Sequence, residues 1–160
     1  MAAYLANGAE VIGNISTPTG KMLMERFSDV IQLLKDTGNR AVVLQASRGK
    51  AAVCVAPELV GRVLATAFDG EKGEILGWIN PEAIRCGKVD PVFNNFGGEE
   101  RILFAPEGGQ FGFMFGAKDW TIKNYVNQQA VSCGTFAVRE GRRPPGVSVT
   151  MSCLMALENH

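Results

Sequence analysis

The residues best suited to chemistry lie in the middle of the chain, between residues 73 and 115. General acid and base catalysis needs side chains that exchange protons near the working pH. The single histidine, His160, is the last residue, so an acid and base pair has to come from carboxylates. Glu107 with Glu99 is the candidate pair, and Arg101 is a further catalytic candidate. The alternative is structural: Glu99 or Glu100 pairs with Arg101, and Glu107 accepts hydrogen bonds from the backbone of the next turn.

The neighbouring Glu100 is the other candidate partner of Glu107. Adjacent residues of a β-strand point to opposite faces, so Glu99 and Glu100 do not both enter one pocket if this segment is extended. The planar guanidinium of Arg101 suits paired hydrogen bonds to hydroxyls or to a carboxylate. It suits equally well the bracing of a loop through a buried acid, and the residues alone leave both roles open.

Glycine pairs and a helix start surround these groups. The pairs Gly97-Gly98 and Gly108-Gly109 are predicted to adopt positive φ angles in turns rather than to form a phosphate cradle. Asn80 precedes Pro81, which is typical of a helix N-cap followed by proline at the first helical position. Two strand-like runs are predicted on either side of residues 105–109.

One amphipathic helix and several strands must position this stretch. Apolar residues recur at three- and four-residue steps from 21 to 36, which predicts a helix with Thr19 as N-cap and Gly38 beyond its end. Residues 1–20 form a turn-rich N-terminal segment. Strands are predicted over residues 41–46, 51–56, 60–68, 131–140 and 147–157, with hairpin turns at 47–50 and 141–146.

Several strands, glycine-rich turns and one leading helix predict a mainly β fold, an antiparallel β-sandwich that forms a single domain over residues 21–160. The last predicted strand has an apolar face and would leave an unpaired edge at the border of the sheet. We therefore expect a homo-oligomer, most simply a dimer formed through sheet edges. A structural or assembly protein without catalysis is the alternative function that this edge suggests.

Composition excludes some partners. Sixteen Lys and Arg balance sixteen Asp and Glu, so we expect no nucleic acid partner. No run of about 18 apolar residues predicts a membrane span, and the start lacks a secretion signal, so we expect a cytoplasmic protein if Met1 is the natural start. The four cysteines are widely spaced, so we expect no metal site, and Cys54 and Cys153 are predicted to lie buried in strands.

The central motifs resemble an uncharacterised family of the galactose mutarotase-like superfamily, which includes the aldose 1-epimerases. The motifs are GWIN at 77–80, NNFGGEER at 94–101 and APEGGQF at 105–111, with GRV at 61–63 in an earlier strand. The similarity covers residues 31–157. The chain departs from the family at 102–104, where ILF replaces an aromatic-rich run. The family domain is longer, so the resemblance implies that this chain corresponds to its N-terminal half.

The resemblance implies a carbohydrate-binding or carbohydrate-active module whose small-molecule partner is a sugar or sugar derivative, with no cofactor. Aldose epimerases use a mid-domain histidine and a glutamate near the C-terminal end, and neither is present here, so the chain alone is not expected to be a competent epimerase. Tryptophans stack on sugar faces, which makes Trp78 and Trp120 candidates against ordinary packing. Amides suit sugar hydroxyls, although turns use them equally. The predicted ligand-binding residues are Trp78, Asn94, Asn95, Glu99, Arg101, Glu107 and Gln110.

Overall fold

The computed structural model describes residues 24–46, 48–143 and 146–157. The predicted N-cap Thr19, the turn-rich segment 1–20 and His160 lie outside these residues. The described part contains three α-helices and five strands, and short 3-10 helices lie at Pro57–Leu59, Gly70–Lys72 and Ile122–Asn124. The elements are α1 (Phe27–Asp36), β1 (Val42–Gln45), β2 (Ala52–Ala56), β3 (Arg62–Ala67), α2 (Pro81–Arg85), α3 (Gln129–Cys133), β4 (Ala137–Arg143) and β5 (Gly146–Ser152).

Helix α1 begins later than the apolar pattern predicts. Residues 24–26 are not helical, because the backbone of Glu25 and Arg26 pairs in extended form with the chain around Glu74. Ile75 donates its N–H to the Glu25 carbonyl at 2.9 Å, and this bond replaces a helical one. The carboxylate of Asp29 then accepts from the Arg26 N–H at 3.3 Å, which satisfies a free donor at the helix start. The predicted end is confirmed, since the helix ends at Asp36 and Gly38 has a φ of 72°.

The core lies between α1 and one sheet. Phe27, Val30, Leu33 and Leu34 of α1 are buried, at the spacing that places them on one helix face. They pack against a cluster that includes residues of β2 and β3 together with Ile79, Ile84 and Phe96. Burying such side chains contributes about 1.5–3 kcal/mol each relative to exposure, so this interface supplies much of the stability.

The sheet next to α1 has the order β1-β2-β3 and is antiparallel throughout. The predicted hairpin of the first two strands is confirmed, with Val43 opposite Cys54. The third strand starts at Arg62 rather than at residue 60, because Val60 and Gly61 both adopt left-handed φ angles. Cys54 is buried as predicted, and burial raises the pKa of its thiol to about 12. This thiol therefore stays protonated and unreactive at neutral pH.

A separate antiparallel pair, β4 and β5, lies near the end of the described chain. The prediction of a hairpin is confirmed, but its bounds are wrong. Residues 131–133 belong to helix α3, and residues 153–157 are not in a strand, so Cys153 is half-buried beyond β5 rather than inside it. The two strands extend through Arg143 and Gly146, so these residues belong to strands rather than to the predicted loop 141–146.

The fold is mixed rather than mainly β. The described part has one antiparallel sheet of three strands and one of two, and helices account for a comparable share of the chain. The two strands predicted around residues 105–109 are not formed, because this segment uses its backbone groups in local turns. Gly109 donates to the Pro106 carbonyl and Gly112 to the Gly109 carbonyl, and only Met114 forms an isolated bridge, with Val126. Among the described residues, no helix is both long enough and apolar enough to cross a bilayer.

An ion pair ties the start of β1 to the 3-10 helix that follows β2. Arg40 donates its backbone N–H to one carboxylate oxygen of Glu58 at 2.9 Å and its Nε–H to the other at 2.5 Å. Partial burial acts to raise the pKa of Glu58, but the hydrogen bonds and charge of Arg40 outweigh it and hold that pKa below its ordinary value. A lowered native pKa means that this pair contributes stability above the unfolded pKa, and that the contribution is lost as pH falls through the native pKa.

We therefore expect Glu58→Gln to reduce the acid sensitivity of folding. Between pH 7 and pH 3, the unmodified protein should lose up to about 1 kcal/mol more unfolding free energy than the variant, the range of partly exposed pairs. Urea unfolding at both pH values measures this difference. Glu71→Gln, at an exposed glutamate without an ion pair among the described residues, is the control. Equal acid sensitivity in the Glu58→Gln variant and the parent would contradict the prediction.

Candidate functional site

A hollow of about 950 Å³ opens beside the start of β3 and the loops before and after α2. Its volume lies within the range of small-molecule sites. Five of the seven predicted ligand-binding residues line it, namely Trp78, Asn95, Glu99, Arg101 and Glu107. Residues that were more than twenty positions apart in sequence therefore meet in one place. We call this the central hollow.

Two glycines form the wall of the central hollow next to β3. Gly97 and Gly98 have φ angles of 78° and 97°, as the turn prediction requires. Gly98 donates its N–H to the carbonyl of Trp78 at 2.7 Å, and Glu99 donates to the carbonyl of Val63 at 2.8 Å. A Cβ on Gly97 would collide with the Trp78 carbonyl oxygen, so this chain crossing requires glycine. The glycine pair thus brings the NNFGGEER segment against β3.

Glu99 is held to the sheet by its side chain. Its Oε1 accepts a hydrogen bond from the backbone N–H of Thr66 at 2.7 Å. A Cβ on Gly77 would lie 2.5 Å from the Cγ of Glu99, so Gly77 leaves the space that this side chain occupies. One carboxylate oxygen therefore braces the wall of the hollow, and this contact favours a positioning role for Glu99 over proton transfer.

Glu99 and Glu100 both line the central hollow, because the segment is not extended and the condition for the alternation rule is not met. The alternation rule assumed an extended segment, but the chain bends at Glu99 and forms only an isolated bridge at Glu100. The bend follows the left-handed Gly98, which turns the chain out of strand geometry.

Arg101 and Glu107 face the central hollow without forming the predicted local contacts. The one ion pair among the described residues joins Arg40 to Glu58. Neither Glu99 nor Glu100 therefore pairs with Arg101. Glu107 does not hold the following turn, because Gly108 donates its N–H to Phe113 and Gly109 donates to Pro106. Gly109 also lacks the predicted positive φ, although Gly108 has a φ of 77°.

Arg62 is the buried charge of the central hollow. Its residue is only 8% exposed, and its Nη1 donates to the Gly97 carbonyl at 2.7 Å. The guanidinium carbon lies 5.9 Å from the centre of the Phe96 ring. Its Nε is buried and has no hydrogen-bond partner. Burial, and to a smaller extent the nearby positive charge of Arg101, lowers the pKa of Arg62 to about 10. The side chain therefore stays charged at neutral pH.

Both tryptophans of the chain line the central hollow. Trp78 is 52% exposed and Trp120 is 80% exposed, so their rings present large apolar faces to solvent. Trp120 stacks on Phe115 with ring centres 4.9 Å apart and an interplanar angle of 14°. Exposed tryptophans beside polar groups are the arrangement that binds the flat faces of ligands.

A group of aromatic rings supports the far wall. Tyr125 contacts Phe93, Phe113 and Phe115, with ring centres 5.3–5.8 Å apart. Burial raises the pKa of the Tyr125 phenol. The positive charge of Arg101 opposes this shift, and the negative charge of Glu107 adds to it. The phenol is therefore a neutral group close to Arg101 and Glu107, two of the charged residues of the hollow.

Asn94 and Gln110, the other two predicted residues, do not line the central hollow. The amide of Asn94 donates to the carbonyls of Asp90 and Ser132 at 2.6 and 2.8 Å, and its oxygen accepts from the Asp90 N–H. The Asp90 carboxylate in turn accepts from the N–H groups of Val92 and Phe93, and these bonds lower its pKa. Asn94 therefore braces a loop, which is the turn role that the sequence left open.

Sequence reasoning did not assign Arg62, Phe93, Phe113 or Tyr125 to the site. The sequence could have indicated Arg62 as a site residue, because it is the one charged residue in the mostly apolar stretch of residues 59–68. The aromatic residues carried none, since their contacts depend on how irregular loops fold together. Asn80 was assigned correctly: its side chain accepts from the Ala83 N–H at 3.2 Å and Pro81 is the first residue of α2.

A second hollow, of about 500 Å³, lies between the end of α1 and α2. Glu58, one of its acids, is already paired with Arg40, and no tryptophan lines this hollow. We therefore place the candidate site in the central hollow. Within the described ranges, no three His, Cys, Asp or Glu side chains gather in an arrangement that could hold a metal ion.

Comparison with known proteins identifies one family. The model of DUF6786, described as a family of unknown function, matches residues 25–160. No curated protein and no solved structure matches the chain. The family match has no bearing on the mutarotase-like resemblance, which stays a prediction.

Proposed function

The chain belongs to the DUF6786 family of unknown function, and since that membership brings no activity with it, we propose from the central hollow itself that the protein is a carbohydrate-binding module. The observation that carries the proposal is the pair of exposed tryptophans that line one hollow with acids, arginines and an amide. Sugars have apolar C–H faces and a rim of hydroxyls, so they need flat aromatic surfaces and mixed hydrogen-bonding groups together.

Each part of the hollow has a role in this proposal. Trp120 and Trp78 stack on the sugar, while Asn95 and Glu107 hydrogen-bond its hydroxyls. Arg101 adds donors that are not used by a local acid. The residues support binding better than epimerisation. One carboxylate oxygen of Glu99 already accepts a hydrogen bond from the Thr66 backbone, and no histidine of the described part lines the hollow.

Tryptophan fluorescence tests the proposal directly. Because Trp78 and Trp120 are the only tryptophans and both line the hollow, a bound sugar should change the emission in a saturable way. We expect this change on titration with glucose, galactose or an acidic derivative of either. Trp120→Ala should weaken binding about two- to tenfold, the range expected for loss of an aromatic contact.

Phe68→Ala is the matched control, because Phe68 is 68% exposed and does not line the hollow. This variant should bind as tightly as the parent. Calorimetry on the Trp120→Ala variant provides a readout that does not depend on the lost fluorophore. Absence of a saturable response to neutral and acidic monosaccharides would refute the proposal.

A structural or assembly role is the second candidate, and the surface after β5 favours it. Within the described chain β5 pairs only with β4, and Leu154 just beyond it is fully exposed. Exposed apolar side chains beside a free strand edge suit pairing with a second copy. Sedimentation at micromolar concentration should then show a homodimer that Leu154→Lys weakens, whereas a monodisperse monomer would contradict this role.

The finer fold and the location are also proposals. We propose that the two antiparallel sheets belong to a β-sandwich of the galactose mutarotase-like class. An experimental structure with the sheets packed face to face about 10 Å apart would support this class. The cytoplasmic location, like the lack of nucleic acid and membrane partners, stays a prediction from composition.

A further inference from the structure

Arg62 is a buried cation that no described acid neutralises. Its residue is more than nine-tenths buried, yet no carboxylate of the described chain lies within the 4.0 Å of an ion pair. Its one side-chain hydrogen bond goes to the Gly97 carbonyl, and the buried Nε–H has no acceptor. Burying a charge without a counter-charge is costly, so an anion held in the adjoining hollow would offset part of this cost.

Arg101 adds a second positive charge beside the first. Both arginines line the central hollow, and they are close enough for Arg101 to lower the pKa of Arg62 by repulsion. Two neighbouring guanidinium groups repel each other unless an anion lies between them. Each guanidinium forms charge-assisted hydrogen bonds with carboxylate or phosphate oxygens, and a single acid group would relieve the repulsion.

The acids of the hollow do not already fill this role. Glu99, Glu100 and Glu107 also line it, but none of them forms an ion pair with either arginine. Glu99 is held instead by the Thr66 backbone. The hollow therefore has unpaired cations and separate carboxylate acceptors. A ligand with one acid group and several hydroxyl donors matches both kinds of group at once.

We infer that the central hollow binds an anionic sugar, one that carries a carboxylate or a phosphate, and that Arg62 and Arg101 hold its acid group. This inference rests on the proposed carbohydrate binding and specifies the class of sugar. A neutral sugar can accept hydrogen bonds through its hydroxyls but leaves the two positive charges without a counter-charge, so it is bound less tightly.

The test compares matched sugars on the full chain at one ionic strength. Glucuronate, glucose 6-phosphate and glucose are titrated by tryptophan fluorescence and calorimetry, with sodium acetate and inorganic phosphate as anions without a sugar. We expect at least one acidic sugar to bind about tenfold or more tightly than glucose, which corresponds to about 1.4 kcal/mol. A preference for glucuronate identifies a carboxylate as the acid group, and a preference for glucose 6-phosphate identifies a phosphate.

Variants assign the preference to the two arginines. Arg101→Gln, at an exposed position, should remove most of the preference without unfolding the chain. Arg62→Lys keeps the charge but loses the planar fork, and should reduce the preference severalfold. Arg85→Gln, at an exposed arginine outside the central hollow, is the control and should leave the preference intact.

Four results would overturn the inference. If glucose binds as tightly as the acidic sugars, the anionic class is wrong while carbohydrate binding stands. If Arg101→Gln keeps the preference, the assignment of the acid group to Arg62 and Arg101 is wrong. If acetate or phosphate alone binds as tightly as the acidic sugars, the sugar contributes nothing and the site holds an adventitious ion only. If no sugar binds at all, the inference fails together with the proposed function.

Discussion

Replacing Phe27 with alanine is expected to lower the free energy of unfolding by about 3–5 kcal/mol, the range for buried aromatic truncations. Phe27 is the first residue of α1, is fully buried and belongs to the cluster that joins the helix to the sheet. Because small domains are stable by only about 5–15 kcal/mol, this loss would remove a large share of the total. Urea unfolding followed by circular dichroism measures the difference.

Phe68→Ala provides the matched control for Phe27→Ala. The same atoms are removed, but Phe68 lies just after β3 and is 68% exposed, so its truncation removes little buried apolar area. We expect a change within about 0.5 kcal/mol, as for surface substitutions. Similar losses for the two variants would show that α1 does not pack on the sheet as described.

The Gly97→Ala substitution is expected to cost about 2–5 kcal/mol of unfolding free energy and to distort the central hollow. Two effects add: a left-handed φ of 78° costs a side-chain residue about 1–2 kcal/mol, and the new Cβ collides with the Trp78 carbonyl. Overpacking of this kind typically costs about 1–3 kcal/mol. Because the collision moves the chain that holds Trp78, fluorescence of the unliganded protein should also change.

Gly108→Ala separates the two effects. Gly108 has almost the same φ, 77°, but a Cβ there would meet nothing within 4 Å. It should therefore show the φ cost alone, about 1–2 kcal/mol, and leave the Trp78 environment unchanged. If Gly97→Ala and Gly108→Ala lose equal stability, the close crossing of the NNFGGEER segment over residues 78–79 is not present in solution.

The arrangement of the central hollow separates support from recognition. Backbone hydrogen bonds, glycines and the Glu99 carboxylate connect the wall to β3, while the tryptophans and Arg101 present exposed groups. Arg62 belongs to both parts, since it starts β3 and reaches the Gly97 carbonyl with only one of its donors. Substitutions in the support should change stability first, whereas substitutions of exposed groups should change binding alone.

Predictions that depend on neighbours in sequence were the successful ones. The first hairpin, the end of α1, the cap at Asn80 and the positive φ angles of Gly97 and Gly98 all follow from local periodicity or from backbone sterics. Local rules failed where distant segments compete for the same backbone groups. The start of α1 is the example, because Ile75 takes the Glu25 carbonyl that a longer helix would have used.

The site shows the same division. Residue type alone marked Trp78, Asn95, Glu99, Arg101 and Glu107, and all five line one hollow. It could not distinguish Asn94 from Asn95, because the two amides differ only in whether loop carbonyls lie within reach. It also could not assign Arg62, whose lack of an acid partner depends on the positions of residues about 40 places away in the chain.

By itself, the sequence determined the local elements and the composition of the candidate site, because apolar spacing, glycine sterics and side-chain chemistry act between near neighbours. Only the tertiary structure decided which strands form, that the antiparallel pairs fall into two sheets, and that two arginines share one hollow without an acid between them. The physical reason is that backbone hydrogen bonds and buried charges must be satisfied over the whole fold, and their partners are chosen by contacts between distant segments.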